Sequence, residues 1–329
     1  MPAPVRRKLP LACLSLLALA LAVTGTALAG NGGIAPPGST PNAQRIRDLY
    51  WLVLGVTGVI FVIVEGALVM FVVQYRNAGR PRDEEGPQVR GHSRLELIWT
   101  VIPMVILAGI ISFVFYKLPG IKNVPAANAA GPKVSVHVEG RQFYWRYTYP
   151  NGAVSVNELR LPAGRPVDLE ITAPANDVAH SWWVPALAGK MDAIPGKVNH
   201  LRFIAPTKTG VFVGQCAEFC GAQHALMLAR VVTMQPAAYK SWVTSQSNLA
   251  ADLGKQTFDG ACAPCHGMKG EGLIGPPLKG NATLANRKLL IQLLENGKRA
   301  MPAVGRGWNQ RQIDALVQYV QKGSFANGG

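Results

Sequence analysis

Two apolar runs constrain this chain more than any other feature. Leu49–Val73 and Leu95–Leu118 are each long enough to cross a bilayer, which takes about 20 residues. Lipid offers no partner to backbone N–H and C=O groups, so each run is predicted to be a helix that satisfies them internally. Hydrophobic residues make up 49% of the chain and charged residues only 16%, which excludes wholesale disorder and fits a chain partly housed in lipid. Glu65 lies near the middle of the first run, where a charge is costly, so it is expected to face protein rather than lipid. Between the runs stand Arg76, Arg80, Arg82, Arg90 and Arg94, and the positive-inside rule places that loop in the cytoplasm. Both ends of the mature chain then lie outside.

The start of the chain reads as a secretory signal over residues 1–29. Arg6, Arg7 and Lys8 precede an apolar stretch from Leu11 to Val23, and Ala27-Leu28-Ala29 is a small-x-small cleavage site. An external segment (30–48), the spans (49–75 and 95–118), the cytoplasmic loop (76–94) and a Pro- and Ala-rich linker (119–132) follow. Residues 133–235 carry short alternating runs such as Val134, Val136, Val138 and Val167, Leu169, Ile171, predicting a β-sandwich or barrel. A second linker over 236–252 leads to residues 253–329, where Leu289, Leu290, Leu293, Leu294 and Ile313, Leu316, Val317, Val320 have helical spacing. The net charge of +15 is spread along the chain rather than gathered into a basic stripe with interleaved aromatics, so no nucleic-acid partner is expected.

Two constellations carry chemistry. In Gly214-Gln215-Cys216-Ala217-Glu218-Phe219-Cys220-Gly221-Ala222-Gln223-His224-Ala225-Leu226-Met227, two thiols lie four residues apart, an imidazole four later and a thioether three after that. Thiolate and thioether are soft ligands suited to copper, and imidazole accepts it. Zinc and a Cys216–Cys220 disulfide are the alternatives. Structural zinc has little use for Met227, and a disulfide leaves His224 and Met227 unexplained. The second constellation, Cys262-Ala263-Pro264-Cys265-His266, is the attachment pattern of c-type heme. Cys262 and Cys265 would form the thioether links and His266 would bind iron. Met301, 35 residues on in Met301-Pro302, is the candidate sixth ligand, and a Met there raises the potential.

The copper segment resembles the binuclear copper (CuA) loop of subunit II of the heme-copper cytochrome c oxidases, whose pattern is Cys-x-Glu-x-Cys-x3-His-x2-Met with a further His upstream. Here that histidine is His180, in His180-Ser181-Trp182-Trp183, and Met191-Asp192-Ala193-Ile194-Pro195-Gly196 matches a second family signature. The resemblance covers roughly residues 45–235. It implies a two-helix membrane hairpin and a cupredoxin-like Greek-key β-barrel, beside an all-α class I cytochrome c domain. It also implies two copper ions bridged by Cys216 and Cys220, with His180 and Met227 completing one and His224 and the Glu218 carbonyl the other. The Glu218 side chain is then free for magnesium shared with subunit I. The family's aromatic run lies over the copper and is Gln142-Phe143-Tyr144-Trp145 here, with Phe143 where many relatives have Trp. Glu96, in Glu96-Leu97-Ile98-Trp99-Thr100, matches the acid at the mouth of a proton pathway; its alternative role is that of a helix-start acid at the positive end of the dipole.

Together these features imply subunit II of a cytochrome-c-fused (caa-type) terminal oxidase of a bacterial plasma membrane. Its partners would be subunit I, subunit III and an external donor such as a cytochrome c or a quinol–cytochrome c reductase. A quinol oxidase subunit would lack the copper ligands. A nitrogen-oxide enzyme would lack the hairpin and Glu96. A stand-alone membrane-anchored redox carrier would purify without an oxidase.

Overall fold

The computed structural model describes residues 37–75, 88, 90–122, 131–245 and 250–322. The expected signal peptide, most of the loop over 76–94 and most of the linker over 119–132 lie outside the described residues. The chain divides into two compact units, one holding Arg47–Ser112 and the other Gly38–Ile46 with Phe113–Gly329.

Helix α1 (Pro41–Tyr75) and helix α2 (Ser93–Lys122) contain the two apolar runs. Both extend past the expected limits, because the flanking polar residues continue the hydrogen-bonded turns. Their most apolar stretches are wholly unburied within the chain, a surface suited to lipid or to a partner subunit. The Thr57, Thr100 and Ser112 hydroxyls donate to carbonyls four residues back, each at 2.8 Å, so these three hydroxyls are satisfied within their own helix. At the start of α2 the His92 N–H donates to Glu96 Oε1 at 3.2 Å and the Leu95 N–H donates to His92 Nδ1 at 3.2 Å, a reciprocal cap.

In the larger unit, alternating residues build ten strands: β1 (Val134–Arg141), β2 (Tyr144–Thr148), β3 (Val154–Val156), β4 (Glu158–Pro162), β5 (Pro166–Thr172), β6 (His180–Trp183), β7 (Met191–Ala193), β8 (Asn199–Ile204), β9 (Gly210–Cys216) and β10 (Leu228–Met234). They form two five-stranded sheets, ordered β3-β2-β1-β5-β8 and β4-β10-β9-β6-β7. The parallel pairs β1–β5 and β4–β10 require crossovers and give the cupredoxin-like topology. Val136, Val138, Leu169, Ile171, Trp182, Phe203 and Val231 fill the core between the sheets.

Residues 236–245, expected within a linker, instead form helix α3 (Pro236–Ser245). Its Trp242 is buried against Tyr149 at 5.0 Å between ring centroids, with the Arg160 guanidinium 4.9 Å from the indole centroid, so burial and a cation–π contact order the segment. Helix α4 (Ala250–Thr257), a π-turn over Phe258–Cys262, and helices α5 (Ala263–His266), α6 (Ala282–Ala285), α7 (Arg287–Asn296) and α8 (Gln310–Lys322) follow. Asn281 and Asn286 cap α6 and α7, accepting from the Thr283 and Leu289 N–H groups at 3.0 and 3.2 Å. Leu290, Leu294, Ile313, Leu316, Val317 and Val320 are buried as their spacing predicts, whereas Leu289 is exposed. Tyr144 and Val156 from the strands join this helical core, so the two folds share a packed junction.

Candidate metal and heme centres

Four segments converge on the copper-type site. β6 supplies His180, the end of β9 supplies Cys216, the loop after it supplies Cys220, and a short 3-10 turn (His224–Leu226) places His224 and Met227. One ligand atom from each of His180, Cys216 and Cys220 lies within 4.8 Å of the other two, and all three residues are buried. Cys216 Sγ is 3.9 Å from His180 Nδ1 and 3.3 Å from the Glu218 carbonyl oxygen. Cys220 Sγ is 3.5 Å from His224 Nδ1 and 3.8 Å from Met227 Sδ. Every predicted member of the set is therefore present, and no S–S bond joins the two cysteines.

The chemistry of the donors favours a soft cation. The hydrogen bond from Cys220 holds the Cys216 thiol far below its usual range, at about 3, against burial, which pushes it up; His180 adds to the lowering. Cys220 is correspondingly raised by its neighbour Cys216. The two sulfurs are close enough for each to shift the other, a pair of soft donors set side by side. Asp177, which the sequence reading did not single out, stands behind His180, with Oδ1 3.2 Å from His180 Nε2. Burial lowers the pKa of His180, but Asp177 and Cys216 outweigh it and the net shift is upward. With Nε2 turned to a carboxylate, Nδ1 is the nitrogen presented to the sulfurs. Gly140 makes room for this ring, since a Cβ there would lie 2.9 Å from His180 Cβ.

The second site is a small cavity of about 30 Å³ lined by Cys262, Cys265, His266, Met301, Pro302 and Val304, with Gln142 and Phe143 reaching in from the β1–β2 turn. His266 Nδ1 is 2.8 Å from the Pro276 carbonyl, which fixes that nitrogen as the donor and frees Nε2 for a metal. Gly275 packs on the imidazole, where a Cβ would come within 2.7 Å of Cε1. Burial pushes Cys262 up to about 12 and raises Cys265. The fold thus brings Met301 to the same cavity as His266 across 35 residues, while Met268 is 60% exposed and does not line it. Glu96 lies exposed at the start of α2, bonded to the His92 N–H as described.

Comparison with known proteins gives three family matches along the chain. Residues 30–117 match the transmembrane domain of cytochrome c oxidase subunit II, residues 153–234 its periplasmic domain, and residues 249–320 the family described as cytochrome c oxidase, cbb3-type, subunit III. Cytochrome c oxidase subunit 2 of Alkalihalophilus pseudofirmus is 33% identical over 80% of this chain and 78% of its own length. The chain belongs to the cytochrome c oxidase subunit II family. Its relative from Bacillus sp. strain PS3 is 30% identical over 71% of this chain and 75% of that protein. The periplasmic domain of subunit II of the Bradyrhizobium japonicum cytochrome oxidase is 31% identical, covering 35% of this chain and 93% of that one, with a TM-score of 0.32. This subunit II is a component of an oxidoreductase, anchored by two spanning helices, with an external copper-type domain and a fused cytochrome c domain. The family implies the binuclear copper and the cytochrome domain implies heme c; the donor sets described above fit both.

Proposed function

We propose that this subunit II relays electrons from an external carrier to subunit I of a proton-translocating oxidase in a bacterial plasma membrane, where oxygen is reduced to water. The observation that carries the reading is the presence, in one compact unit, of a soft Cys–His–Met set and a C-x-x-C-H cavity lined also by Gln142, which donates to the Cys220 carbonyl. Bound there, a bridged copper pair and a covalent heme would each supply a one-electron couple. Cys216, Cys220, His180, His224, Met227 and the Glu218 carbonyl would hold the coppers. Cys262 and Cys265 would tether the heme, and His266 Nε2 and Met301 would hold its iron. A dry, preformed ligand shell limits rearrangement when charge changes; His180 and Met227 are fully buried.

A cytochrome c or a quinol–cytochrome c reductase would supply the electrons, and subunit III would complete the assembly. The exposed Glu218 side chain would bind a magnesium ion shared with subunit I; unchanged magnesium content in Glu218→Gln would overturn that role. Glu96, at the predicted cytoplasmic start of α2, would admit protons. The test of the main reading is an optical and EPR spectrum of the purified protein. A c-type heme band and a multi-line mixed-valence copper signal are expected, and Cys220→Ser should lose the copper signal and keep the heme, because a hydroxyl does not replace a bridging thiolate. An intact binuclear signal in Cys220→Ser would overturn the assignment.

A further inference from the structure

We propose that Gln142 is the positioning residue that couples the heme cavity to the copper loop, so that the fused cytochrome delivers its electron across a fixed junction rather than by diffusive encounter. The inference rests on the two redox centres proposed above. Gln142 and Phe143 are the residues of the strand domain that line the cavity with Cys262, His266 and Met301. The same two residues touch the copper loop on their other side. Gln142 Nε2 donates to the Cys220 carbonyl at 2.6 Å, and a Cβ on Gly221 would lie 3.2 Å from the Phe143 ring. The Gln142 backbone N–H donates to Asp177 Oδ2 at 3.3 Å, while Asp177 Oδ1 faces His180. One residue therefore touches the heme cavity, the backbone of one bridging cysteine and the carboxylate behind a copper-type histidine.

The residues around Gln142 hold this arrangement still. Arg141 Nη1 donates to the Arg306 carbonyl at 2.6 Å, Arg146 Nη1 to the Gly307 carbonyl at 3.3 Å and the Tyr144 hydroxyl to the Val304 carbonyl at 2.9 Å. Glu139 pairs with both arginines, at 3.3 and 2.7 Å. The cytochrome loop beside Met301 is thus pinned to β1 and β2 by largely buried groups, and no search step precedes transfer. Across the Gln142–Cys220 contact the gap is a hydrogen bond of 2.6 Å, where an apolar side chain would leave a van der Waals gap of about 3.5–4 Å. One electron and no proton moves: iron held by His266 passes from ferrous to ferric, the copper pair held by Cys216 and Cys220 gains that electron, and an external one-electron carrier supplies the next. No bond of Gln142 is made or broken.

The test uses the full-length, detergent-purified protein carrying both centres. A ruthenium photoreductant reduces the heme in a laser flash, and its reoxidation by copper is timed in wild type, Gln142→Leu and Gln142→Asn. Leu keeps most of the volume without a donor, and Asn keeps the amide on a shorter stem. Both are expected to slow heme-to-copper transfer several-fold, with the heme spectrum, the copper EPR and both midpoint potentials unchanged. An unchanged rate in both variants would overturn the proposal, as would slowing that only accompanies a shifted potential or an altered copper EPR. A wild-type protein lacking either centre would overturn the underlying function as well.

Discussion

Replacing Tyr144 by Phe removes one oxygen from the junction of the strand and helix domains and leaves the ring in place. Tyr144 is fully buried and sits in the helical core although β2 carries it. Its hydroxyl accepts from Trp308 Nε1 at 2.7 Å and donates to the Val304 carbonyl at 2.9 Å. Burial raises the phenol far above its ordinary range, so it remains a neutral donor at every accessible pH. The edge-to-face contact with Trp308, at 6.3 Å and 70°, survives the substitution. The indole N–H loses its partner in an apolar setting, at a cost of about 1–3 kcal/mol, and the Val304 carbonyl adds about 1 kcal/mol more. A total of about 2–4 kcal/mol raises the population of the locally opened junction about 30- to 1,000-fold. Hydrogen exchange reads this directly. The Gly305 N–H, bonded to the Leu294 carbonyl at 2.8 Å, and the Trp308 N–H, bonded to the Gly305 carbonyl at 3.0 Å, should exchange faster by that factor. Amides of β5 and β8 should not change. Equal acceleration in β5 and β8, or none near Gly305 and Trp308, would refute a local latch.

Three further outcomes are expected. Met301→His should retain the heme, held by Cys262 and Cys265, and lower its potential with loss of the ferric Met–iron band; retention of that band would assign the ligand elsewhere. Glu96→Gln should slow steady-state oxygen reduction in the assembled oxidase without altering either spectrum, and normal turnover across pH would leave Glu96 as a helix cap alone. Asp168 is nearly buried and takes Lys133 Nζ at 3.2 Å, His200 Nδ1 at 3.0 Å and Arg202 Nε at 3.1 Å. Burial pushes its pKa up, but the three partners outweigh it and the net shift is downward. Stability from Asp168 is therefore complete above the unfolded value of about 3.9 and is lost as pH falls through the lower folded value. Asp168→Asn should cost about 2 kcal/mol at pH 7, discounted for the half-exposed cations, and should flatten the acid limb of the denaturation curve; an unchanged limb would refute it.

What the sequence made legible was the chemistry that depends on residue type and short spacing. Cys216, Cys220, His224 and Met227 lie within one loop, and Cys262, Cys265 and His266 within one turn, so their grouping needs no knowledge of the fold. His180 and Met301 are distant in sequence and were reached through resemblance and a family spacing. The supporting groups were not legible. Asp177 is an ordinary acid three residues before His180, and only the β1–β2 turn shows that it also holds Gln142. Tyr144 reads as strand core, yet it belongs to the core of the helices, because nothing local marks which domain its face of β2 will meet. Helix α3 falls where the sequence suggests a linker, because its stability comes from Trp242 on Tyr149 and Arg160, partners roughly 80 to 90 residues away.

Both centres depend on what stands behind their donor atoms. Asp177 occupies Nε2 of His180 and leaves Nδ1 toward the cysteines; the Pro276 carbonyl occupies Nδ1 of His266 and leaves Nε2 toward the heme cavity. The opposite nitrogens are presented because opposite nitrogens are already bonded. The two cysteine pairs divide in the same way. Mutual hydrogen bonding pulls the Cys216 thiol down, and burial without a compensating donor pushes Cys262 and Cys265 up. The two pairs also differ in what surrounds them: Cys216 and Cys220 stand among His180, His224 and Met227, whereas Cys262 and Cys265 line the cavity beside His266. Gln142 touches both surroundings, lining the cavity and donating to the Cys220 carbonyl, so the two cysteine pairs are set apart by their neighbours within one packed junction.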